Sequence, residues 1–210
     1  MAEMVREAAY GQDHDLTAID RLGVWLSSVM IRRRAGTFAG KRVADLGCGY
    51  EASFSRTVRG EVASLVLADV ALADDLKADE RVTAIEGPLP SSLAAVPSGS
   101  LDIVLCVSVL EHLREPQKTI AEIHRLLAPG GVCLFNVPTW LGKRFLEFSA
   151  FRLGLSPAAE MDDHKAYYDP KDLWPLLVNG GFMPHNVRCS RHKLGLNTFA
   201  VCRVDATPVA

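Results

Sequence analysis

Arg42-Val43-Ala44-Asp45-Leu46-Gly47-Cys48-Gly49-Tyr50-Glu51-Ala52 sets a short apolar run directly before two glycines one residue apart. Val43–Leu46 reads as a strand and Ala52–Arg59 as the helix after it, so the glycines occupy a strand-to-helix turn. Glycine there lets backbone amides approach a ligand that any side chain would hold away. Outward from this turn, Leu65–Ala68, Val82–Ile85, Leu101–Val107 and Val132–Val137 are further near-continuous apolar runs, the pattern of parallel strands buried on both faces. They alternate with helical segments at Ala71–Ala78 and Pro116–Ala128, which predicts a doubly wound, mainly parallel α/β sheet in three layers. Pro116–Ala128 carries proline in its first turn and an apolar stripe of Ile120, Ile123, Leu126 and Leu127, with Pro129-Gly130-Gly131 expected to stop it. The Pro/Ser-rich stretch from Pro88 to Gly99 predicts a short, irregular crossover.

Upstream, Leu16, Ile19, Leu22, Leu26 and Val29 recur at helical spacing, with Asp15 placed as cap and Arg32, Arg33 and Arg34 at the far end. Downstream, Trp140–Leu155 is aromatic-rich and amphipathic, and a polar loop, Ser156–Tyr168, follows. Asp169-Pro170 opens a helix that ends at Gly180-Gly181, with Pro175 as a possible kink. Asn186–Cys189 and Thr198–Val204 form a hairpin around Leu194-Gly195. The chain thus divides into an N-terminal helical cap (1–39), a cofactor-binding core (40–137), a lid or acceptor insertion (138–168), and a final helix with an antiparallel hairpin (169–210), all within one domain.

With 210 residues, 49% hydrophobic and 23% charged, the chain suits a single hydrophobic core with elaborations. A formal net charge of −2 argues against a general polyanion binder, and no nucleic-acid partner is expected. Five cysteines without a C-x-x-C pair suggest neither a disulfide framework nor a zinc site, and no metal is assigned. No apolar run reaches the roughly 18 residues of a membrane span, and the charged start, Met1 to Glu7, lacks the apolar core of a signal peptide. The expected location is cytoplasmic.

Gly47-x-Gly49-x-x-Ala52, with Asp69 downstream, matches a dinucleotide fingerprint and would make the chain an NAD-dependent oxidoreductase. Asp45 argues otherwise, because a carboxylate at the mouth of the strand repels a pyrophosphate. S-adenosylmethionine carries a ribose, a sulfonium and an ammonium and no phosphate, so it suits a glycine turn flanked by carboxylates.

The run Leu101-Asp102-Ile103-Val104-Leu105-Cys106-Val107-Ser108-Val109-Leu110-Glu111-His112-Leu113, then Pro116, Glu122 and Arg125-Leu126-Leu127-Ala128-Pro129-Gly130-Gly131, resembles the class I S-adenosylmethionine-dependent methyltransferases of small-molecule type. With Asp45–Gly49, Asp69 and Gly180-Gly181-Phe182, the resemblance spans roughly residues 40–203. It implies a Rossmann-like seven-stranded sheet of order 3-2-1-4-5-7-6 with an antiparallel strand seven. It also implies that Gly47, Cys48 and Gly49 lie against the methionyl part of the cofactor and that Asp45 holds its amino end. Asp69, with Val70 after it, takes the ribose hydroxyls, and Val107 supplies an apolar contact. Two departures stand out: Glu51 replaces the usual third glycine, and the usual acid after strand three is absent at Gly87-Pro88-Leu89. Glu51 would either accept a bond from the cofactor ammonium or fill the pocket, and Glu86 would replace the missing adenine contact.

The acceptor side rests on two histidines. His112 either hydrogen-bonds within the loop after strand four or faces substrate. His164 lies with Lys165, Tyr167 and Tyr168 in a loop expected to overhang the sheet, where it would take a proton from a hydroxyl acceptor or remain solvated. Trp140–Leu155 reads as a sheet-covering helix, a dimer contact, a lid, or a surface for membrane lipid. The expected activity is methyl transfer to a small-molecule or sugar- or lipid-linked acceptor, at oxygen first, with a catalytically silent binding protein of the same fold as the alternative.

Overall fold

A computed structural model describes residues 9–12, 18–145 and 164–206. Asp15, Leu16 and the stretch 146–163, which includes parts of the expected amphipathic segment and polar loop, lie outside the described residues.

Seven strands form one sheet in the order β3-β2-β1-β4-β5-β7-β6. They are β1 (Arg42–Leu46), β2 (Ser64–Asp69), β3 (Val82–Glu86), β4 (Leu101–Val107), β5 (Leu127–Pro138), β6 (Val187–His192) and β7 (Asn197–Arg203). β1 pairs in parallel with both β2 and β4, Val43 lying opposite Leu65 on one side and Ile103 on the other. β7 runs antiparallel between β5 and β6.

The pleat divides the core by residue parity. Val43, Leu65, Leu67, Ile103, Leu105, Val132 and Leu134 face one layer, which holds α1 (Ala18–Ala35), α2 (Ser53–Val58) and α3 (Asp74–Lys77). Ala44, Leu46, Val104, Cys106, Cys133 and Phe135 face the other, beneath α4 (Pro116–Leu126) and α5 (Pro170–Asn179). Such double-sided burial is why these strands read as continuous apolar runs. Asp169 and Asp172 form a capping box that starts α5 in front of Pro170, and the helix passes through Pro175 before stopping at Gly180. The crossover after β3 is a single 3₁₀ turn, Ser91–Leu93, pinned by Arg125, which donates to the Val96 carbonyl at 2.9 Å and to Ser98 Oγ at 2.7 Å.

Several boundaries differ from expectation. α4 ends at Leu126, and Leu127 is already extended, so Pro129-Gly130-Gly131 does not stop the helix but forms an irregularity inside β5. Gly130 takes φ +77°, and a Cβ at Gly131 would stand 2.8 Å from the Ala128 carbonyl oxygen, so both glycines are needed there. α2 and α3 are shorter than their predicted segments. Ala52 takes a left-handed φ of +44°, which postpones α2 to Ser53. β6 continues through Arg191 and His192, polar residues that an edge strand tolerates, leaving only residues 193–196 for the turn.

α4 and α5 meet at Gly180, where a Cβ would lie 2.2 Å from Ile120 Cγ2. Ile120 is fully buried and cannot swing away. Gly180→Ala is therefore expected to destabilise the fold by about 1–3 kcal/mol. Denaturant unfolding reads this directly, and an unchanged midpoint would show that the two helices can slide apart.

Candidate cofactor and acceptor site

The strand order reverses between β1 and β4, and the carboxyl ends of β1, β2 and β4 open there into a cavity of about 860 Å³. This lies within the roughly 300–1,000 Å³ of small-molecule sites. Its wall contains every predicted site residue: Asp45, Gly47, Cys48, Gly49, Glu51, Asp69, Val70, Val107, His112 and His164.

The glycine turn is shaped by close approach. Gly47 and Gly49 take φ +68° and +76°. A Cβ on Gly47 would lie 2.3 Å from Val109 Cγ2, and one on Gly49 3.2 Å from the Tyr10 carbonyl oxygen. Asp69 faces this turn from the end of β2. Its Oδ2 accepts from Gly49 N–H at 2.8 Å and its Oδ1 from Val70 N–H at 2.7 Å, which fixes the carboxylate on the cavity wall.

Asp45 lies beneath, 6% exposed, and accepts from Ser55 Oγ at 2.6 Å. Burial pushes its carboxyl up to about 6, the Ser55 hydrogen bond pulls it back, and the negative charge of Asp69 raises it again. Two carboxylates around a glycine cradle fit a cationic ligand that carries a diol and disfavour a pyrophosphate. The donor set therefore fits S-adenosylmethionine.

Glu51 is exposed just ahead of α2, where its Oε2 pairs with Arg56 at 2.9 Å, and Arg56 also binds Asp75. Glu86 is not among the residues that line the cavity. Its Oε1 accepts from Leu72 N–H at 2.8 Å and from Lys77 at 3.2 Å, which ties it to the loop after β2.

At the other end of the cavity, residues 164–168 lie across the sheet edge. Lys165 and Ala166 donate backbone N–H groups to the Glu111 carbonyl at 2.7 and 3.3 Å, Tyr168 N–H donates to the Pro138 carbonyl at 2.9 Å, and Thr198 Oγ donates to the Tyr168 carbonyl at 2.7 Å. The Lys165 ammonium bonds the His112 carbonyl. This lacing sets the His164 ring 4.8 Å from the His112 ring and its Nδ1 3.2 Å from Tyr167 Oη. Glu111, 1% exposed, brings a carboxylate oxygen to the same place, all three donors lying within 4.8 Å of one another.

Sequence reasoning missed Tyr10 and Glu111, which also line the cavity, as does Lys193 of the run Arg191-His192-Lys193, by sequence either a polar hairpin turn or an anion-binding patch. Glu111 carried a signal, as an acid inside an otherwise apolar run. Tyr10 carried none, since its place depends on the Tyr50 N–H to Tyr10 carbonyl bond of 3.0 Å.

Residues 26–185, more than half of the chain, match the family described as methyltransferase domain. The chain belongs to that family. It groups with the class I S-adenosylmethionine-dependent methyltransferases, whose cofactor is S-adenosylmethionine. Among relatives, this methyltransferase chain is 33% identical over 126 residues to the ubiquinone biosynthesis O-methyltransferase of Bordetella pertussis, with 55% of this chain and 50% of that protein covered. It is 32% identical over 122 residues to the protein of the same name from Escherichia fergusonii, with the same coverages. The chain thus spans about half the length of the curated relatives it matches. Among solved structures, an S-adenosylmethionine-dependent methyltransferase of Archaeoglobus fulgidus shares the fold with a TM-score of 0.63 at 15% identity, over 85% of this chain and 93% of that one. A Haemonchus contortus phosphoethanolamine N-methyltransferase, solved with phosphomonomethylethanolamine and S-adenosylhomocysteine, gives 0.63 at 14% identity, over 87% and 54%.

The methyltransferase should show its Asp45 in its stability. With a folded pKa of about 6 against 3.8 unfolded, the folded state holds this proton longer, so stability falls as pH rises through roughly 4 to 6. Asp45→Asn removes that fall. The ligand-free variant is expected to match wild type near pH 4 and to be more stable near pH 8 by on the order of 2–3 kcal/mol, while binding S-adenosylhomocysteine less tightly. Denaturant unfolding at the two pH values and calorimetry check this, and parallel stability profiles for the two proteins would refute it.

Proposed function

We propose that the protein transfers the methyl group of S-adenosylmethionine to an oxygen of a hydroxylated small molecule, with His164 taking the hydroxyl proton. The observation that carries this is the position of His164, on the wall of the same cavity as the glycine turn and Asp69 and within hydrogen-bond reach of Tyr167. The name O-methyltransferase borne by the relatives supports oxygen as the acceptor atom.

S-adenosylmethionine supplies, when bound, a methyl carbon already activated by its sulfonium. The protein's share is then positioning, exclusion of water and movement of one proton. Asp69 takes the ribose hydroxyls and the Gly47–Gly49 amides line the methionyl end. Asp45, negative when ionised, favours the cationic end. Val107 and Val109 present apolar surface that keeps water from the acceptor.

For His164 the tautomer decides. With Nδ1–H donating to Tyr167 Oη, Nε2 holds the lone pair and can accept the acceptor's proton. Tyr167 is then a positioning residue. Its ring lies edge-on to His164 at 5.5 Å and tilted against Trp140 at 5.5 Å, contacts that restrain the imidazole.

Two substitutions separate the ends of the cavity. Asp69→Ala is expected to weaken S-adenosylmethionine binding by about 1.5–3 kcal/mol. His164→Ala is expected to leave S-adenosylhomocysteine affinity nearly unchanged while lowering turnover of a hydroxyl acceptor by about 10²–10⁴-fold. Calorimetry with the cofactor pair and a methyl-transfer screen over phenols, sugars and hydroxy acids measure both. Absence of any cofactor binding by wild type would sink the enzymatic reading, and full turnover by the His164 variant would remove the histidine from the reaction.

A further inference from the structure

The turn between β6 and β7 inverts the usual rule of burial. Lys193 and Leu194 both take left-handed backbone angles, φ +49° and +57°, a region that side-chain-bearing residues seldom occupy. The result is that Leu194 is 100% exposed while Lys193, on the same cavity wall, is half-buried. Side-chain burial alone would choose the opposite.

The turn is clamped in this state. Thr139 Oγ donates to the Gly195 carbonyl at 2.7 Å, Thr139 N–H to the Leu196 carbonyl at 3.0 Å, and Leu196 N–H to the Lys193 carbonyl at 3.1 Å. Opposite, α1 presents Gly23, and Lys193 Nζ lies 3.6 Å from where a Cβ would stand there. Among the described residues Lys193 forms no ion pair, and no hydrogen bond satisfies its Nζ. Burial lowers its pKa to about 8, against the opposing pull of the Glu111 charge, so the ammonium form still predominates at neutral pH.

A partly desolvated ammonium without a bonded anion is unfavourable, and a ligand that brings one relieves it. The surroundings select the kind of anion. Glu111 is buried in the same cavity, and an acidic side chain there disfavours a doubly charged anion. The cavity's other cations, Arg21, Arg114 and Lys165, are solvent-exposed, so the inner cation is a single point charge without the forked donors that suit phosphate.

We propose that Lys193 binds a carboxylate of the acceptor, making the substrate a hydroxylated organic acid. The word acceptor rests on the methyl transfer proposed above, whereas the ion pair itself is a statement about binding and is tested without turnover. The probes are 3,4-dihydroxybenzoate and its neutral counterpart 3,4-dihydroxybenzamide. Each is titrated into wild type, Lys193→Gln, Lys193→Met and Lys193→Arg at pH 7, with and without S-adenosylhomocysteine. Wild type is expected to prefer the acid over the amide by about tenfold or more, the value of a charge-assisted bond. Both neutral variants should lose that preference, Lys193→Arg should keep part of it, and unchanged S-adenosylhomocysteine affinity in all four certifies the fold. An acid preference that survives in the neutral variants, or is missing from wild type, overturns the proposal, as does failure of wild type to bind the acid. Equal weakening of acid and amide overturns it too, because Lys193 would then contact the hydroxyl end. Selective acid binding with no methyl transfer would uphold the ion pair and fail only the proposed reaction.

Discussion

Parallel strands buried on both faces can be joined only by crossovers that lie over one face or the other. In this sheet β2 and β3 lie to one side of β1, and β4 and β5 to the other, so the crossovers leaving β1 and β4 run in opposite directions. The loops after those two strands part, and a crevice opens between them. The rest of the site hangs on that opening. The glycine turn after β1 and Asp69 at the end of β2 hold one end, and the turn at Leu110–His112 after β4 holds the other.

The crevice gathers ionisable groups into surroundings that penalise them. Asp45 is held near a pKa of 6 by burial, Glu111 is almost fully enclosed, and Lys193 is drawn down to about 8. Each would be more at ease in water, and none is needed to close the core, whose two apolar layers are complete without them. Such groups reduce the stability of the empty protein and are relieved by a ligand of complementary charge. The signs differ along the cavity: two carboxylates, Asp45 and Asp69, at the glycine end, and an ammonium reaching in from the β6–β7 turn.

Backbone constraint serves the same end. Ala52, Ser108, Lys193 and Leu194 take positive φ without being glycine, and all lie at turns that line or border the cavity. Ser108 is held by its N–H to the Asn136 carbonyl at 2.7 Å, and the Lys193–Gly195 turn by Thr139. The strain is thus fixed by hydrogen bonds from the neighbouring strand β5 and the segment that follows it.

The sheet was legible in the sequence because burial on both faces leaves a local trace. Val43–Leu46, Leu101–Val107 and Val132–Val137 could hardly pack otherwise, and Gly47, Gly49 and Asp69 follow at a spacing that places them beside the first strand. Boundaries were less legible where tertiary hydrogen bonding outranks local signals, as at Pro129-Gly130-Gly131, which bulges within β5 instead of ending α4. The acceptor end was legible only in part. His164 was suspected from its polar neighbours, but its approach to His112, 52 residues earlier in the chain, comes from Lys165 and Ala166 bonding the Glu111 carbonyl. Arg191-His192-Lys193 reads in sequence as a polar hairpin turn or as an anion-binding patch. Whether a lysine in a turn faces water or a cavity depends on the backbone angles of that turn and on what stands opposite. Here these are a left-handed φ enforced by Thr139 and a glycine on α1, neither of which is adjacent to Lys193 in sequence. Local periodicity therefore determined the layers, and only the folded chain decided which charges share a cavity.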